Sequence, residues 1–146
     1  MKTKDIRINA KLIRSYKPCI EGLANFTEHY TDISIKEFIN SKNISYNHKV
    51  WLLKHIVPTD LLVLWAIDSS FVAYKYYDIS TNAADYAAGA AGAAANAAVY
   101  APYYAAGAAA NAAVYAADAA ANGANGANSQ NERLQSLLYF IENEGA

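Results

Sequence analysis

The chain has 146 residues, a formal net charge of −1, a single cysteine and an apolar fraction of 54%. That length fits one domain able to bury a core without a metal or a staple, and one thiol excludes an internal disulfide. Residues 1–78 carry 11 basic and 8 acidic side chains and residues 79–146 carry 1 and 5, imbalances too mild for a phosphate-binding face or a DNA mimic. No leader-like run of basic, apolar and small residues opens the chain, so a reducing cytoplasm is the expected compartment.

In chain order, residues 6–78 read as short amphipathic helices separated by turn chemistry. Asn9 can cap a helix through Tyr16, and Pro18 suits the first turn of another that runs to about Tyr30. Ser34 begins SIKEFINSK, with Glu37 completing a capping box. Asn47 opens HKVWLLKHIV, which stops at Pro58, and Thr59 or Asp60 caps the apolar run beyond it. Val50, Leu53, Ile56 and Val57 repeat at helical spacing, which places large core residues here. Asp68 is the carboxylate expected to be buried on this run, with Lys54, Lys75, Ser69 or Ser70 as its partner.

A turn at 79–82 precedes an alanine-dense segment, expected to be helix over 83–122 because alanine is the strongest helix former. It contains AAGAAANAAVYA twice, at 90–101 and 105–116, separated by Pro102, Tyr103 and Tyr104. Pro102 should kink the helix or split it, since it lacks a donor and crowds the preceding turn. GANGAN ends the segment. Ser129 with Glu132 then caps a last helix over 129–143, on which Leu134, Leu137, Leu138 and Ile141 form one apolar face.

The other letters in the alanine segment recur at eleven residues: Asp85, Asn96, Gly107 and Asp118; Gly89, Tyr100, Asn111 and Asn122; Gly92, Tyr103 and Val114. Eleven residues in three turns nearly matches the natural period of the helix, so the series run down one side and leave an alanine face on the other. Trp51, Leu52, Leu61, Trp65 and Phe71 could cover that smooth face. The stripe is then either a wet surface or a binding surface, with Tyr100, Tyr103, Tyr104 and Tyr115 as amphipathic anchors beside Asn96 and Asn111. The segment lacks the large aliphatic residues of a membrane span.

Catalytic and metal chemistry find little support. His48 and His55 lie seven apart, too far along a helix for one metal, and no CxxC or HExxH spacing occurs. Cys19 would need a histidine in space and is expected to be buried instead. Lys2, Lys4, Arg7, Lys11, Arg14 and Lys17 make a basic stretch, with Arg7, Lys11 and Arg14 on one helical face, read as solvated rather than as a nucleic-acid contact. No cofactor is expected.

The strings PCIEGLANF (Cys19, Gly22 and Phe26) and VWLLKHI (Trp51, Leu52 and Leu53), followed by the alanine segment, resemble the alanine-rich helical immunity-protein family of bacteria and phages. The resemblance implies a non-enzymatic protein that neutralises another protein by binding it, and carries no catalytic residues. The expected fold is one all-α domain, a bundle of short N-terminal helices packed on a long, kinked alanine-rich helix. The expected activity is inhibition of a protein target (a toxin, a bacterial nuclease or a CRISPR effector) by occlusion. The alternative is a structural or self-assembling protein, a homodimer joined through alanine faces.

Overall fold

The computed structural model describes residues 1–65, 68 and 126–145. Helices dominate these residues, but they also hold a two-stranded antiparallel sheet, which overturns the all-α expectation. Strand β1 (Arg7–Asn9) pairs with β2 (Asp32–Ser34) in the register Arg7 to Ser34, Ile8 to Ile33 and Asn9 to Asp32. Each strand has three residues, too few for a period-two pattern to stand out from the helical repeats around it. The pairing is held by core burial of Ile8 and by a diagonal side-chain pair, in which Arg7 Nε donates to Asp32 Oδ1 at 2.7 Å. Arg7 therefore stands in a strand and not on a helical face with Lys11 and Arg14.

A 3₁₀ turn (Thr3–Asp5) leads into β1, and α1 (Ala10–Arg14) follows it directly. Asn9 caps α1 as expected, its side chain accepting from the Leu12 N–H at 2.9 Å. Lys17 leaves α1 at a φ of 53°, a left-handed conformation that L side chains adopt at a cost of roughly 1–2 kcal/mol. The next helix, α2 (Ile20–His29), is capped by Cys19, and Pro18 lies just outside it. The Ser34–Glu37 capping box is present at the start of α3 (Ile35–Asn40), where each side chain meets the other's backbone N–H.

Helix α4 (Tyr46–Ile56) begins one residue after its cap, Ser45, whose hydroxyl accepts from the His48 N–H. Asn47 is inside the helix rather than its cap. Lys49 on α4 is buried with its ammonium donating to the Ile39 and Ser41 carbonyls at the end of α3, where the helix dipole favours positive charge. Burial still pushes the Lys49 ammonium below its ordinary pKa.

Residues 59–65 are helical (α5), so Thr59 and Asp60 lie within the helix they were expected to cap. The last helix, α6 (Gly126–Glu142), starts earlier than the Ser129–Glu132 box implies, and Ser129 falls in its second turn. Its apolar face is as expected: Leu134, Leu137, Leu138 and Ile141 are all buried with Ile8, Phe26, Phe38, Leu52, Leu53, Leu62 and Trp65 in one core. The chain's two ends therefore share that core, and the Thr3 N–H donates to Glu144 Oε2 at 2.7 Å beside it. The alanine-rich helix expected over 83–122, its kink at Pro102 and the turn at 79–82 lie outside the described residues. Among the described residues no helix is long and apolar enough to cross a membrane.

Candidate functional site

Two features of the described residues bear on function. The first is a cleft of about 280 Å³ walled by α1, α2, α3 and α4. Ile13, Phe26, Phe38, Ile44 and Leu52 give it an apolar interior, with Trp51 along its side and Pro18, Cys19, Gly22, Asn47 and His48 completing the lining.

Cys19 was expected to be buried, and it is not. The thiol is exposed, and its Sγ lies 3.9 Å from Nε2 of His48 on the facing helix. Cys19 caps α2 through that same sulfur, which accepts from the Gly22 N–H at 3.3 Å. Capping explains the local geometry, but the usual caps are Ser, Thr, Asp or Asn, whose oxygens accept far better than sulfur. Gly22 leaves room for both side chains. A Cβ there would stand 3.2 Å from Cys19 Sγ and 3.5 Å from Cε1 of His48. An exposed thiol, an imidazole and an apolar cavity thus meet at one place, an arrangement suited to holding a small apolar ligand beside a nucleophile.

The other histidines are positioned by local contacts. The Nδ1–H of His55 donates to the Trp51 carbonyl at 2.8 Å, and its ring packs on Tyr16 with 4.8 Å between centroids. His29 makes the equivalent turn-to-turn bond to the Asn25 carbonyl. Neither histidine lines the cleft. Among the described residues no group of three His, Cys, Asp or Glu side chains is placed to hold a metal ion.

The second feature is a clasp between α5 and α6. The Trp65 Nε1–H donates to the Arg133 carbonyl at 2.8 Å. Arg133, itself buried, donates from Nη1 to Asp68 Oδ2 at 2.6 Å, and the Ser136 hydroxyl donates to the same oxygen at 2.6 Å. Asp68 is therefore satisfied from α6, across 65 residues of sequence, and its side chain is 40% exposed rather than buried. Trp65 and Asp68 are thereby joined to Arg133 and Ser136 of α6 at the edge of the shared core.

The expected binding residues Asn96, Tyr100, Tyr103, Tyr104, Asn111 and Tyr115 all belong to that intervening segment and lie outside the described residues. By contrast Cys19, Gly22, Phe26, Trp51 and Leu52, which the sequence did not single out as a binding site, all line the cleft. The spacing of Cys19, Gly22 and Phe26 places them on one face of α2; the encounter of Cys19 with His48 was not legible, because it joins residues 29 apart. No protein family model matches the chain. No curated protein matches it, and no solved structure does.

Proposed function

We propose that the chain is a non-enzymatic, protein-binding inhibitor, immunity-like or a phage counter-defence factor, that occludes a toxin, a bacterial nuclease or a CRISPR effector. What supports this reading is the eleven-residue recurrence of tyrosines and asparagines in the sequence of the alanine segment. Tyrosine supplies large contact area at low entropic cost, which is why it is enriched where binding energy concentrates. The inhibitor acts in the cytoplasm, where such targets work.

The test is affinity capture from a bacterial lysate by the wild-type chain and by the Tyr100→Ala/Tyr103→Ala/Tyr104→Ala/Tyr115→Ala variant. The reading expects one stoichiometric protein retained by the wild type and lost by the variant at equal helicity. A protein that stays equally bound to both chains contradicts the tyrosine surface. A concentration-independent dimer with no captured protein replaces it with self-association through alanine faces.

A further inference from the structure

The cleft lined by α2 and α4 is independent of the inhibitor reading. A thiol that is exposed and 3.9 Å from an imidazole nitrogen can pass its proton to that nitrogen as sulfur attacks an electrophile. The Gly22 N–H, already directed at Sγ at 3.3 Å, is placed to offset negative charge that develops on sulfur at the start of α2. The chain has one cysteine, so no second thiol stands ready to resolve a disulfide.

Behind the sulfur the lining turns apolar. Ile13, Phe26, Phe38, Ile44 and Leu52 offer no polar side chain to a ligand, so the part of the ligand beyond its reactive atom must be hydrocarbon. A carbonyl at the mouth with an alkyl tail inside meets both conditions. Gly22 adds a constraint of its own: a Cβ there would press on Cys19 Sγ at 3.2 Å and come into ordinary contact with the His48 ring at 3.5 Å, so glycine leaves the thiol its place beside the imidazole.

We propose that Cys19 is an S-acylation site that takes a short acyl chain from an acyl thioester, with His48 as the base and the apolar cleft as the acyl-chain pocket. Cys19 Sγ attacks the thioester carbonyl carbon and its proton moves to Nε2 of His48. The new carbon–sulfur bond forms as the donor's carbon–sulfur bond breaks, and the departing thiolate takes the proton from His48. One thioester replaces another, with no oxidant or reductant required.

The experiment uses the full chain and N-acetylcysteamine thioesters of acetate, butyrate and hexanoate, followed by intact mass and peptide mapping. Expected is a single adduct on Cys19 that forms about tenfold faster with hexanoyl than with acetyl donor, a preference lost in concentrated urea. His48→Gln should slow acylation at least about tenfold, while Cys19→Ser yields no thioester adduct. Equal rates for the three donors in the folded chain, or a preference that survives in urea, overturns the pocket. Should His48→Gln not fold, the wild-type donor series with and without urea decides alone; should it fold and acylate at the wild-type rate, the role of His48 is overturned.

Discussion

Trp65 and Arg133 are joined by a 2.8 Å hydrogen bond from indole N–H to backbone carbonyl, although 68 residues separate them. Trp65 is only 1% exposed, so the bond forms in the core and gives the buried indole its partner. Trp65→Phe keeps most of the ring and removes the donor. It should cost about 1 kcal/mol of unfolding free energy in a urea titration, and Trp65→Ala about 3–5 kcal/mol. Equal stability of Trp65→Phe and wild type would show that the clasp contributes nothing.

The ion pair beside that bond is asymmetric, with the Arg133 side chain 7% exposed and the Asp68 side chain 40% exposed. Removing the acid leaves a buried guanidinium uncompensated, and its Nε already has no hydrogen-bond partner among the described residues. Asp68→Ala should therefore cost about 2–3 kcal/mol, below the range for fully buried pairs because water reaches the carboxylate. The double variant Asp68→Leu/Arg133→Met should recover most of that loss, since neither charge then remains to be desolvated. A double variant no more stable than Asp68→Ala would contradict this origin of the cost.

Acid should weaken the fold through two carboxylates at chain junctions. Hydrogen bonds from the Ser34 backbone and hydroxyl hold Glu37 below its ordinary value of 4.5, and those from the Thr3 hydroxyl and backbone N–H do the same for Glu144. Each folded-state value lies below the unfolded one, so the stabilisation is whole above about pH 4.5 and is lost as pH falls through the folded value. Glu37→Gln and Glu144→Gln should each flatten the fall in urea midpoint over that acidic window. Parallel pH curves for variant and wild type would contradict the assignment.

Gly22 should couple energetically to Cys19. With Cys19→Ala as background, Gly22→Ala should stabilise by about 0.5–1 kcal/mol from helix propensity. In the wild-type background the new Cβ meets Sγ at 3.2 Å, so the gain should shrink or change sign. A double-mutant cycle in urea measures the difference, and perfect additivity would mean that the thiol gives way freely.

Local chemistry was legible in the sequence where it was closed within four or five residues. The Asn9 cap, the Ser34–Glu37 box and the buried face of Leu134, Leu137, Leu138 and Ile141 each depend on neighbours along one helix, and each is present. Where two local signals competed, the wrong one was read: Ser45 rather than Asn47 caps α4, and Cys19 rather than a first-turn Pro18 marks the start of α2. Partners chosen across the fold were illegible. Asp68 finds Arg133 and Ser136 instead of its sequence neighbours, Arg7 finds Asp32 across a sheet too short to signal itself, and Cys19 finds His48. The cleft was within reach only as a hint, in that Cys19, Gly22 and Phe26 share one face of α2.

The central claim, that tyrosines of the alanine segment bind a protein, is tested most directly by calorimetric titration of the captured partner with each chain. The wild type should bind one to one, and the four-tyrosine variant should lose at least about a hundredfold in affinity, as expected when several anchoring aromatics are removed together. The same affinity for both chains, with both folded, would contradict the claim.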